Sequence, residues 1–212
     1  NITLNEDYTI GTTGEISKAV VLKGLGLSCL TIDGQKLYKI NFTGETQYES
    51  GNFEQSPSII TDSKVITIKN TTVVNTKHSY KREEGNYSAG SRFPVYAFVR
   101  GEKVVYDNVV FKGSVVTYDP TQFVDCSLYV EYSNHFALFA DNQYGGYPIN
   151  VEMERCHIEA NGSYGCIRVA DDKSEGGAFT VKNSTYINNS NTTDWVDAVG
   201  SVNVTLENNS EL

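Results

Sequence analysis

Residues 1–212 read as a single all-β domain, a solenoid in which short strands wind into a coiled ladder, and three features of the chain carry that reading. One pattern is stated twice between Val151 and Asn189. It consists of a short alternating strand (Val151, Met153; then Phe179, Val181), a polar pair (Arg155-Cys156; Asn183-Ser184) and a second short alternation (His157, Ile158; Tyr186, Ile187). The copies lie about one repeat apart, since solenoids use periods of roughly 20 to 50 residues. Val, Ile and Thr fill the periodic segments, Gly is frequent at 18 and Pro scarce at 4, which favours strands, and no run of about 12 residues holds a helical period. Asn70, Asn108 and Asn183 recur at corresponding turns. They predict a ladder of stacked Asn inside the solenoid, each side chain bonding its own bent backbone.

The chain opens on ITLNEDYTI, an alternating strand followed by the turn GTTG, which begins or caps the stack. Ala19 to Gln35 supplies a strand, a Gly-bearing corner, a second strand and an Asp33-Gly34 turn. Phe42 to Pro57 is polar and reads as a loop, and SIITDSKVITIKNTTVVNT then gives two strands bent at Thr61-Asp62-Ser63. His78 to Arg92 is charged and nearly free of apolar residues, so it is expected to project from the core, where binding segments are mounted. FPVYAFVRGEKVVYDNVVFKG returns as strands joined by Arg100-Gly101-Glu102-Lys103. Ser133 to Pro148 is longer than the repeat needs and ends in a Tyr- and Gly-rich loop, and Asn188 to Ser201 holds the only Trp, Trp195.

A net charge of -9 with scattered cations argues against nucleic acid or an anionic membrane surface as partner. No apolar run reaches the roughly 18 residues of a membrane span, and no signal segment is present, so the chain reads as an excised or mature exported domain. Ten N-x-S/T triplets, from Asn1 to Asn208, are glycan acceptors in a eukaryotic secreted protein, or simply the product of Asn-rich turns. Cys29, Cys126, Cys156 and Cys166 lack metal-site spacing and are expected to be buried, with Cys126 and Cys156 at equivalent places in successive repeats as stacked thiols. No metal or cofactor is implied.

Several segments together resemble the pectinesterase family of carbohydrate esterases. VVLKGLGLSCLTIDGQ, SKVITIKNTTVVNT, FPVYAFVRGEKVVYDNVVFKG, QFVDCSLYV and VEMERCHIEANGSYGCIRVADDKSEGGAFTVKNSTYI are similar, in order, to that family's strands from about Val20 to Asn188. The resemblance implies a secreted, single-stranded right-handed parallel β-helix of about six to eight coils, and ester cleavage by two Asp residues without a metal. Such chemistry needs a carboxylate nucleophile, a carboxylic general acid and donors for the oxyanion. Where the family has a Q-D-T turn, this chain has Val115-Val116-Thr117, and aligning the nucleophile strand places His135 to Phe139 there. Pro94 replaces the second Gln, and no GRPW arginine motif is visible.

Asp141 is the candidate nucleophile in a shifted frame, or an ordinary turn Asp before Asn142. Asp119 in TYDPTQ is the candidate acid, or a turn starter before Pro. Asp171-Asp172 is a calcium or acid pair, or a solvated loop. His135 reads as a packed or surface histidine rather than a base, with no Ser nucleophile identified beside it. Tyr144, Tyr147 and Trp195 are candidates for stacking on sugar rings, with Arg92 and Arg168 as cationic binding residues. The expectation is a pectinesterase-like scaffold, exported to the cell surface or secreted, catalytically incompetent and adhesin-like in binding polysaccharide or surface glycan. The alternatives are a divergent carbohydrate esterase or polysaccharide lyase using Asp141 with Asp119 or Asp171, and a structural spacer in a longer surface protein.

Overall fold

The structure, a computed structural model, describes residues 1–11, 19–42, 58–74, 98–130, 136–142, 148–161 and 164–212. Every regular element among them is a β-strand, and none is a helix long and apolar enough to cross a membrane. The polar segment after Phe42, the His78–Arg92 excursion with Arg92, and His135, Tyr144 and Tyr147 lie outside the described residues.

The strands fall into three files, and their pairings are parallel. The first file contains Ile2–Thr3, Cys29–Asp33, Thr121–Val124, Ile149–Glu154, Gly177–Lys182 and Asn203–Glu207. The second contains Tyr8–Ile10, Lys39–Phe42, Ser127–Val130, His157–Ala160, Thr185–Asn188 and Ser210–Glu211. Val65–Val74 and Val104–Lys112 run through both, so the two files form one curled 14-stranded sheet. The third file is a three-stranded sheet of Val20–Leu22, Ser58–Thr61 and Phe98–Arg100, and a four-stranded sheet of Val115–Thr117, Leu138–Asp141, Ile167–Ala170 and Val196–Val199. Within each sheet neighbouring strands pair in register, and the third file is divided between Phe98–Arg100 and Val115–Thr117.

Because register is exact, like side chains stack on like. Ile32, Ile68, Tyr106, Phe123, Met153 and Val181 form one row inside the first file, and Ile40, Val73, Phe111, Leu128 and Ile158 a row inside the second. All are buried, and each such side chain contributes roughly 1.5–3 kcal/mol by leaving water. Tyr106 stacks on Phe123 at 5.0 Å and meets Phe111 edge-on at 4.9 Å, which fixes how successive layers seat on one another.

The corner between the first and second files is made by one residue in the left-handed region: Asn70 (φ 50°), Asn108 (54°), Asp125 (53°), Arg155 (52°), Asn183 (51°) and Asn208 (53°). Asn and Asp tolerate that conformation because their short polar side chains bond locally. The polar pairs of the sequence repeat are therefore a corner residue followed by one that turns straight inward. Thr71, Cys126, Cys156 and Ser184 occupy that inward position and are buried, and the amide of Cys156 donates to Ser184 Oγ at 3.0 Å.

Two expectations are corrected. The Asn ladder lies at the surface edge and is interrupted. Asn108 Nδ2 donates to Asn70 Oδ1 at 2.8 Å and Asn208 Nδ2 to Asn183 Oδ1 at 3.4 Å, but an Arg155–Asp125 ion pair at 2.8 Å occupies the layers between. The corner bends the chain outward at the αL residue, so its side chain projects away from the core. Cys126, Cys156 and Cys166 are buried free thiols, whereas Cys29, at the start of its strand, is exposed.

Candidate functional site

The middle strands of the third file differ from the other two files in burying both faces, whereas Val20–Leu22 and Val196–Val199 at its ends are partly exposed. Val115, Leu138 and Ile167 point into the core. Val116 and Phe139, aimed the other way and in register, are also buried, at 1% and 5% exposure, and the same row continues as Arg168 and Asp197. Strands covered on both sides read as unbroken apolar runs, and VVTY and ALFA are such runs.

The C-terminal edge of this file carries ionisable side chains in four successive layers: Arg100, Asp119, Asp141 and Asp171. Arg100 ends Phe98–Arg100 and turns its guanidinium onto the acid of the next layer. Asp119 accepts from Arg100 Nε at 2.7 Å, from Arg100 Nη2 at 3.0 Å and from the Gly101 amide at 3.1 Å. The guanidinium also lies over the Tyr118 ring, 5.4 Å from its centroid. Thr121 Oγ1 donates to the Asp119 carbonyl at 2.7 Å and closes the turn at Pro120.

Asp141 is the last residue of Leu138–Asp141, is 2% exposed and pairs in register with Ala170. One residue further on, Asn142 Nδ2 donates to Asp171 Oδ1 at 2.6 Å while Asn142 Oδ1 accepts from the Lys173 amide at 3.1 Å. Asp171 also accepts from the amides of Glu175 (2.9 Å), Gly176 (2.9 Å) and Ser201 (3.1 Å). Burial acts to raise its pKa, but the Asn142, Ser201, Gly176 and Glu175 donors together outweigh it and hold the carboxyl below the ordinary range. Asp171 is thus a buried anchor while its neighbour Asp172 is exposed, so the two do not behave as a matched acid pair.

Arg168 pairs with Asp197 across neighbouring strands on the same outer row. Trp195 is partly buried against the core and stacked on Tyr186, with centroids 4.2 Å apart and planes 3° from parallel. One face of the indole is therefore occupied by the protein itself. Arg92, Tyr144 and Tyr147 lie outside the described residues.

Sequence reasoning singled out Asp119, Asp141 and Asp171 but passed over Arg100 as part of a connecting turn. Its partner is 19 residues away, and the available signal was the need of a buried Asp119 for a counter-charge. Among the described residues no three His, Cys, Asp or Glu side chains gather in a way that could hold a metal ion. Chemically, the edge combines carboxylate acceptors with guanidinium donors beside apolar and aromatic surface. No protein family, no curated protein and no solved structure matches this chain.

Proposed function

We propose that this chain is a right-handed, single-stranded parallel β-helix of pectinesterase-like descent, exported to the cell surface or secreted. In this reading the scaffold has lost ester cleavage and binds polysaccharide or surface glycan beside Arg168 and Asp197, where the outer row of its third file is partly exposed. The parallel pairing within all three files, the third divided into two sheets, supports the architecture.

The observation that carries the functional reading is the engagement of the acids flanking Asp141. Asp119 is held by three donors from Arg100 and Gly101, and Asp171 by four from Asn142, Glu175, Gly176 and Ser201. Both carboxyls serve as anchors for the chain around them. A general acid must instead turn a protonated oxygen toward a substrate. The partly exposed Arg168 and Asp197 suit a glycan, whose hydroxyls both donate to carboxylates and accept from guanidinium groups.

The test incubates the protein with methylated pectin and with a panel of plant and surface polysaccharides, measuring methanol release and retention separately. We expect retention on at least one polysaccharide, weakened by Arg168→Ala, and methanol release no greater than the blank. Methanol release abolished by Asp141→Ala would establish the divergent esterase instead, and absence of retention on every polysaccharide would remove the binding function.

A further inference from the structure

Two successive corners place thiol against thiol. The residue after each left-handed corner turns inward, and after Asp125 and Arg155 it is Cys126 and Cys156. The two lie directly opposite, because the flanking pairs Val124–Glu154 and Ser127–His157 are in register and the His157 amide donates to the Cys126 carbonyl at 2.9 Å. Both sulfurs gather over the end of Thr121–Val124. Cys126 Sγ is 3.3 Å from the Val124 carbonyl oxygen, and Cys156 Sγ is 3.7 Å from that of Phe123. Each is also the leading influence on the ionisation of the other. Contact with Cys156, and then burial, pushes the Cys126 thiol up, while contact with Cys126 draws Cys156 down against its burial. The other two cysteines have no such neighbour: Cys29 is opposite Val65, and Cys166 falls between Ala137 and Trp195.

We propose that Cys126 and Cys156 join as a disulfide when the chain folds in oxidising surroundings, locking one layer to the next. Neighbouring strands lie about 4.8 Å apart, within the roughly 4.4–6.8 Å that a disulfide spans between α-carbons. The oxidant is a small-molecule disulfide. One cysteine thiolate attacks it, forming a mixed disulfide and releasing a small thiolate, and the second cysteine thiolate then displaces the other small thiolate. Two cysteine thiols thereby give up two protons and two electrons, and the small disulfide becomes two thiols. Because Cys126 and Cys156 are 1% and 3% exposed, the exchange belongs to the stage before the layers close, and the finished bond is shielded from reductant. The bond rings one full coil, with Ser127–Val130, Leu138–Asp141 and Ile149–Glu154 inside it, and so ties down the strand that ends in Asp141 whatever the protein binds.

The test refolds Cys29→Ser, which lacks the one exposed thiol, from urea in oxidised and reduced glutathione, with a fully reduced refolding alongside. Free thiols are then alkylated under denaturing conditions and counted by mass spectrometry. We expect all three remaining cysteines of the reduced protein to be alkylated but only Cys166 of the oxidised one. The two forms should share one circular dichroism spectrum, and the oxidised form should unfold at higher urea because its unfolded state is constrained. Peptide mapping of the oxidised wild type should find Cys126 linked to Cys156, and Cys156→Ser should form no internal bond. Three alkylated cysteines after oxidative refolding overturn the proposal, as does a bond to Cys29 or Cys166, or an oxidised chain that cannot regain the spectrum of the reduced one.

Discussion

Asp119→Ala separates an anchoring carboxyl from a catalytic one. The side chains of Arg100 and Asp119 are 15% and 6% exposed, and the carboxylate takes two guanidinium donors and the Gly101 amide. Removing one partner of a buried ion pair costs about 3–5 kcal/mol because the other charge is left without compensation. The residual exposure of Arg100 and its contact with the Tyr118 ring place the cost near the lower end, about 3 kcal/mol. For a chain of this size, 1 kcal/mol corresponds to roughly 2–4 °C in melting temperature, so Asp119→Ala should melt about 6–12 °C below the wild type by circular dichroism. The paired replacement Arg100→Met with Asp119→Leu should recover most of the loss, since an apolar pair of similar volume carries no desolvation penalty. A change under about 2 °C for Asp119→Ala, the size of an ordinary surface substitution, would refute the anchoring role. Combined with methanol release in the wild type and none in the variant, it would make Asp119 the acid.

Three further outcomes follow from backbone and charge. Gly177 has φ +117°, and a Cβ placed there would lie 2.0 Å from the Ile149 carbonyl oxygen, so Gly177→Ala should lower stability by more than about 3 kcal/mol in urea unfolding. An unchanged midpoint would mean that the backbones do not approach there. Asn108→Ala should cost about 2 kcal/mol, roughly 1 for the hydrogen bond to Asn70 and about 1 for a β-carbon held left-handed; Asn108→Gly should lose only the first part, and equal losses in the two variants would contradict the corner assignment. Asp171 has its pKa lowered on folding, so it adds stability above the unfolded carboxyl value of about 3.9 and loses it as pH falls through the folded value. Melting temperature should therefore drop on acidification below about pH 4, less steeply in Asp171→Asn, although Asp33 and Asp125, also lowered, keep their share. Superimposable acid limbs would show that Asp171 is not held as an anion.

Reading by alternation worked where one side of a strand faces water. Val151, Met153 and Phe179, Val181 alternate with polar neighbours because the first file buries only its inner face. Arg155-Cys156 and Asn183-Ser184 stood out because a left-handed corner puts one residue outside and the next inside. The third file gave no such signal. Val115–Thr117 and Leu138–Asp141 are buried on both faces, so period two vanishes and the strands that carry the candidate site were the hardest to orient. Likewise, stacked Asn side chains were expected inside from their recurrence alone, and only the direction of the bend shows that they project to the surface.

Local chemistry thus settles the all-β character, the corner positions and the rows of like residues, since each depends on neighbours within a few places along the chain. Which acid meets which donor is different. Arg100 reaches Asp119 across 19 positions and Ser201 reaches Asp171 across 30, and those distances close only when layers settle in register. Side-chain type prescribes what a position can bond or bury, and the stacking of layers decides whether a partner arrives.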